Sequence, residues 1–268
     1  MPRGAKAGFP TYWTTYGQGP RAALMIHCTL AHSGSWGGVA RHVSGALSMT
    51  AFDMPGHGRS GAWDAARGEF QGVTAAIAAD FLETPTDVIG HSFGATVALR
   101  LAVERPDLVR SLVLIEPVFF AVALRERPDI KAQYEAMIHD FDTAMDAGDD
   151  WAAARAFTAI WGNGQPWDTV PVAEQRRLAG QMHLVAAGSA ALHEDVGGML
   201  DGEGLSRVVQ PTLLIEGSRS PAIVAAIMDG LTARLPNATR SVIMGAGHMA
   251  PVTHAAQVSV EILRFLRV

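Results

Sequence analysis

One cysteine, Cys28, stands in 268 residues, so no disulfide can form within the chain, and a reducing compartment fits. Lysine is nearly missing, with only Lys6 and Lys131, and arginine carries almost all the positive charge. No apolar run approaches the roughly 18 residues that span a bilayer, and the first residues lack the short apolar stretch of a secretion signal. A cytoplasmic chain with no membrane span is therefore expected. Internal repeats and low-complexity segments are absent too. The formal net charge of -5 gives no basic surface suited to nucleic acid. Apolar residues make up 49% of the chain and charged residues 18%, ample for one large core. The length fits one α/β domain with an insertion, or two small domains.

Apolar strand-like runs alternate with helical spacing in the first part of the chain. Strands are expected at 11–16, 22–28, 48–53, 86–89 and 111–115, with helices at 70–82 and 93–104. This rhythm implies a mostly parallel, doubly wound sheet with helices on both faces. From about 118 to 205 the pattern is helical only, with helices expected at 129–147, 150–161 and 172–187, each stopped by a glycine. Alternation then resumes with a strand at 211–216, a helix at 221–235, a strand at 240–244 and a final helix at 251–266. The reading is a core of residues 1–117 and 207–268 interrupted by a helical cap at 118–206. Residues 117–206 hold 6 Lys+Arg against 14 Asp+Glu, a net of -8, while the rest, with 15 against 12, is net +3. Those acids suit the solvated faces of amphipathic helices, or a cap that disfavours anionic substrates.

The chemistry centres on Gly90-His91-Ser92-Phe93-Gly94, lying between an apolar strand and a helix. Gly-x-Ser-x-Gly there reads as a nucleophile elbow, a turn tight enough to push the serine hydroxyl outward. A serine hydroxyl needs a base, and His248, in the loop Gly245-Ala246-Gly247-His248, is placed to supply one. His254 is its competitor, inside the final helix. An acid to orient the base is expected in the turn after strand 211–216, but Gly217-Ser218-Arg219-Ser220 puts a serine at that position. Glu116, ending the strand before the helical block, is preferred instead, over Glu216, Asp229 and Asp195. The N–H groups of Phe93 and Thr29 are the candidate oxyanion donors, with Leu30 as the alternative to Thr29. Cys28 reads as a small buried residue. His57, in Asp53-Met54-Pro55-Gly56-His57-Gly58-Arg59-Ser60, reads as part of a structural hydrogen-bond network.

With these landmarks in this order, the chain resembles the α/β-hydrolase superfamily over nearly its whole length. The resemblance implies Ser92 as nucleophile, His248 as base, and Phe93 and Thr29 as oxyanion donors. It also implies a helical lid after Glu116. The serine at 220 departs from the usual pattern, and some branches of the superfamily place a glutamate where Glu116 stands. A serine nucleophile argues against dehalogenase and epoxide hydrolase chemistry, where that position is an aspartate.

The expected function is hydrolysis of a small to medium, largely apolar ester through an acyl-enzyme. Lactones, amides or carbon–carbon bonds remain within reach of the same groups, and cofactor-free haloperoxidase activity is a side reaction to consider. The reading from another class is a non-catalytic, ligand-binding member of the fold. No cofactor and no metal is expected. The partner is a small molecule, and a homodimer through the cap is conceivable. Leu30, His91, Phe119, Phe120, Trp161 and Met249 are candidate pocket residues, with Trp151, Trp167, Met182 and His183 as further wall candidates in the cap. These could equally fill the cap's own core.

Overall fold

A computed structural model describes residues 2–268. Its eight strands form one sheet: β1 (Arg3–Lys6), β2 (Phe9–Tyr16), β3 (Arg21–Ile26), β4 (Leu47–Phe52), β5 (Thr86–His91), β6 (Val109–Ile115), β7 (Thr212–Gly217) and β8 (Ala238–Ile243). They lie in the order β1-β2-β4-β3-β5-β6-β7-β8. β1 pairs antiparallel with β2 and β2 with β4, and every other pair is parallel. The core helices are α1 (Gly37–Val43), α2 (Phe70–Ala79) and α3 (Phe93–Glu104) before the helical block. The block holds α4 (Ala121–Leu124), α5 (Pro128–Asp146), α6 (Asp150–Trp161), α7 (Val172–Ala179) and α8 (Met182–His193). α9 (Ala222–Thr232), α10 (Ala250–Thr253) and α11 (Ala255–Leu266) close the chain.

Side chains alternate across a strand, so each central strand feeds two cores. Leu24 and Ile26 of β3, Val88 of β5 and Leu112 and Leu114 of β6 pack under α2, α3 and α9. Their neighbours Ala23, Met25, Ile89, Val113 and Ile115 pack against α1 and α11. Both faces are covered, which is why these strands read as unbroken apolar runs. The mostly parallel, doubly wound sheet expected from the alternation is the fold the chain adopts. β1 and α1 were not anticipated. β1 is short and its residues are largely exposed, and α1 carries two glycines in its first turn, so neither has a strong apolar period.

The helical block departs from the expected layout at two points, the first being the short α4, which was not anticipated. Residues 172–187 do not form one helix stopped by Gly188. α7 ends at Gly180, where Gln181 turns its side chain to the Gly56 carbonyl at 3.3 Å. α8 then runs through Gly188 to His193. Gly188 is a packing choice, since a Cβ there would stand 2.8 Å from the Phe93 ring. The final helix is likewise broken, at His254, whose backbone leaves the helical region.

Candidate active site

The strand order reverses between β3 and β5, and in open α/β sheets the crevice at such a reversal is where groups from several strand ends converge. β5 ends at His91 and α3 begins at Phe93, leaving Ser92 alone to make the turn at φ 56°, ψ -120°. A positive φ on a non-glycine residue costs about 1–3 kcal/mol. The turn is held by Ser92 N–H donating to Ile115 O at 2.9 Å. The flanking glycines permit it: a Cβ on Gly90 would lie 2.3 Å from Gly94 O, and one on Gly94 would lie 2.3 Å from Ile26 O.

Three strand ends and one loop then meet. His248, from the loop after β8, places Nε2 2.9 Å from Ser92 Oγ and Nδ1 3.1 Å from Glu116 Oε2. A carboxylate only accepts, so Nδ1 carries the proton toward Glu116 and Nε2 is left to accept from the serine hydroxyl. Glu116 ends β6, is fully buried and has φ 50°. Its Oε1 accepts from Gly217 N–H at 2.5 Å and from Ser220 Oγ at 2.7 Å. Ser220 thus reaches the carboxylate from the turn after β7, supplying a donor where a charge was expected. The rival acids are engaged elsewhere. Glu216 and Asp229 both pair with Arg240, and Asp195 accepts from Met199 and Leu200 N–H at 2.9 and 2.8 Å. His254 bonds its neighbour Thr253.

Around this row lie three buried neutral histidines. His91 is beneath His248, donating from Nε2 to the His248 carbonyl at 2.9 Å. Burial, with the nearby His248, pushes its pKa down to about 3. His27 spans from Cys28 O (2.7 Å) to Met54 N–H (3.0 Å), and burial lowers it to about 4. His57 donates to Pro55 O at 2.9 Å and accepts from Leu30 N–H at 3.0 Å, with burial and then His27 pushing it down to about 3. His57 is therefore tied into the turn network with Asp53, which accepts from Ser33 and Arg59 N–H. Burial pushes the Cys28 thiol up to about 12, so no thiolate forms there.

His57 also separates the two oxyanion alternatives. Leu30 N–H is spent on the imidazole. The N–H groups of Thr29 and Phe93 make no hydrogen bond among the described residues, and both residues line the cavity beside Ser92. Arg177 of α7 reaches across to Leu30 O at 3.0 Å, so the helical block grips this loop directly. Nothing in the sequence pattern marked that contact, which joins positions 147 apart.

The cavity, about 880 Å³, opens between Ser92, His248 and the helical block. Phe120 and Trp161 line it, and Trp161 stands edge-on to His248 with ring centroids 4.8 Å apart. Four candidates fall outside its lining. Phe119 is fully buried in the main core, and Leu30 packs with Ala153, Ala154 and Met182 in a smaller one. His91 sits behind His248, and Met249 is half-buried off the cavity. Among the further cap candidates, Met182 is core, His183 is exposed, and Trp151 and Trp167 pack on each other at 5.6 Å away from the cavity. Proximity to a landmark in sequence does not tell which way a side chain points. Tyr134 and His193, which do line the cavity, carried no sequence signal. No group of three or more His, Cys, Asp or Glu among the described residues is placed to hold a metal ion.

The alpha/beta hydrolase family model matches residues 23–261. A pimeloyl-[acyl-carrier protein] methyl ester esterase of Nitrosomonas europaea is 29% identical over 87% of this chain and 90% of its own length. The lipase LipV of Mycobacterium tuberculosis is 36% identical over 55% of this chain, and that match spans only 54% of the lipase. A bromoperoxidase of Bacillus anthracis superposes over the whole of both chains with a TM-score of 0.77 at 19% identity, a likeness of fold. With a model matching most of its length and the sheet and strand-end crevice described above, the chain is a hydrolase belonging to the alpha/beta hydrolase family.

Proposed function

We propose that the protein is a serine esterase in which Ser92, His248 and Glu116 act as nucleophile, base and orienting acid. The observation that carries this reading is the unbroken row from Ser92 Oγ through both nitrogens of His248 to Glu116, at 2.9 and 3.1 Å. Ser92 Oγ attacks an ester carbonyl while His248 Nε2 takes its proton, then returns it to the departing alcohol. Water, activated by the same nitrogen, releases the acid. Glu116 holds the ring in the tautomer that leaves Nε2 free and stabilises the imidazolium. Thr29 and Phe93 N–H receive the oxyanion.

Residues 118–206 act as a lid over the catalytic row. The cavity they enclose is walled mainly by apolar and aromatic side chains, which supports a small to medium, largely apolar ester as substrate. A single buried cysteine supports a reducing, cytoplasmic setting.

A fluorophosphonate probe tests the reading. Labelling at Ser92 that disappears in Ser92→Ala, with hydrolysis of p-nitrophenyl esters lost in parallel, is the expected result. Folded protein that neither labels nor hydrolyses any ester is a non-catalytic member of the fold.

A further inference from the structure

The cavity wall away from Ser92 is not uniformly apolar. Phe120 lies 5.9 Å from Trp161 and stacks on His193 at 4.7 Å, so His193 stands two aromatic rings beyond His248. There Tyr134 Oη and His193 Nε2 are 2.8 Å apart, and His193 Nδ1 is 3.0 Å from Ser189 O and 3.2 Å from Ser189 Oγ. Tyr134, Ser189 and His193 all line the cavity. The closer partner, a main-chain carbonyl, only accepts, so Nδ1 carries the ring proton and shares it with the Ser189 hydroxyl oxygen; Nε2 is then the bare nitrogen, and the Tyr134 hydroxyl donates to it. The Tyr134 hydroxyl proton is then committed while its oxygen keeps acceptor capacity that nothing described uses. Burial holds His193 toward the neutral form, and burial with nearby Asp142 pushes the Tyr134 phenol up, so neither group offers a charge or a free proton. Charges around the cavity reinforce this polarity. Lys131 pairs with Glu135 at 3.7 Å and Arg125 with Asp195 at 3.9 Å, whereas Asp142 and Asp146 have no cationic partner among the described residues.

We propose that Tyr134, held by His193, forms a polar subsite that accepts a hydrogen bond from an uncharged donor, an alcohol hydroxyl, at the substrate end remote from the scissile carbonyl, and that this end of the cavity disfavours a carboxylate. The inference rests on the esterase reading for its location, but its test does not require turnover.

Matched methyl ketones with and without a terminal hydroxyl, over a series of chain lengths, are titrated against Ser92→Ala protein. Where the chain spans the cavity, the hydroxylated ketone binds about tenfold more tightly, the worth of one buried hydrogen bond. Matched p-nitrophenyl esters ending in methyl, hydroxyl or carboxylate should rank hydroxyl first and carboxylate last in kcat/KM. Tyr134→Phe alone leaves the bare His193 Nε2 as an acceptor, so the double variant Tyr134→Phe/His193→Phe, which removes both acceptors, is the one in which the hydroxyl-to-methyl ratio collapses toward one. His193→Phe frees the Tyr134 proton, so the preference shifts from donors toward acceptors such as a terminal ketone. A merely structural role for the pair would not move these ratios, which are internal to each variant. Equal binding of the two ketones at every length, or an unchanged ratio in Tyr134→Phe/His193→Phe, overturns the subsite. Absence of all ester hydrolysis with the ketone preference intact overturns the esterase reading and leaves the subsite standing.

Discussion

Oε1 of Glu116 accepts two hydrogen bonds while Oε2 faces His248, so one oxygen anchors the carboxylate and leaves the other for the imidazole. This arrangement reconciles a missing aspartate with a complete row of hydrogen bonds. β6 and β7 are neighbours, and Glu116 N–H bonds Ile215 O at 2.8 Å, so the end of β6 and the turn after β7 look onto the same spot. Here the end of β6 supplies the charge, and the turn after β7 supplies a hydroxyl that donates to it. Glu116→Gln should lower kcat on the order of 10²–10⁴-fold, measured on a p-nitrophenyl ester, because the amide cannot stabilise the imidazolium. Adding Ser220→Asp to that variant should recover part of the loss, since the new carboxylate enters from the turn that already touches position 116. No recovery, with the double variant folded, would place the two side chains in non-equivalent positions. Glu116 could be preferred from sequence because it ends an apolar strand. The hydroxyl of Ser220 could not be read as its partner, because that contact joins positions 104 apart.

Among the elements, α8 shows why glycine is an ambiguous stop signal. The expectation ended a helix at Gly188, yet the helix continues and presents that glycine to the Phe93 ring. The true break lies eight residues earlier, where Gln181 is drawn to Gly56 of the core. A glycine demanded by close packing and one demanded by backbone conformation look alike until the packed partner is known. Gly188→Ala should therefore destabilise the protein by about 1–3 kcal/mol, the usual cost of overpacking a filled interior. It should also displace Phe93, whose N–H is a proposed oxyanion donor. Denaturant unfolding reports the first effect, and a kcat loss larger than any change in KM reports the second. A variant as stable as the parent would mean that the ring moves aside without strain. By contrast α3 and α6 match their expected limits at both ends, because the cues there are local: the elbow starts α3, and Asp149 caps α6 by accepting from Ala152 N–H.

For the whole molecule the buried histidines set a response to acid. His27, His57 and His91 are held neutral, with pKa values pushed to about 4, 3 and 3 from an ordinary 6.5. The unfolded chain binds protons at these sites more readily than the folded one. Their contribution is thus fully present above about pH 6.5 and is lost as pH falls toward 4. Each can remove up to about 1.4 kcal/mol per pH unit in that window. Urea midpoints taken from pH 7 to pH 5 should fall, and His91→Gln should flatten the slope. A midpoint that rises with acid would contradict the neutral assignment. Seven of the eight strands, the class of fold, the serine turn and the histidine and glutamate that meet it were legible in the chain, because apolar periodicity, tight turns and strand ends are local properties of adjacent residues. Which side chains wall the cavity, where the helical block meets the loop after β3 through Arg177, and the polar pair of Tyr134 and His193 were settled by packing across distant segments. Those contacts depend on side-chain direction and on how helices seat against one another, and neither leaves a periodic trace in the order of amino acids.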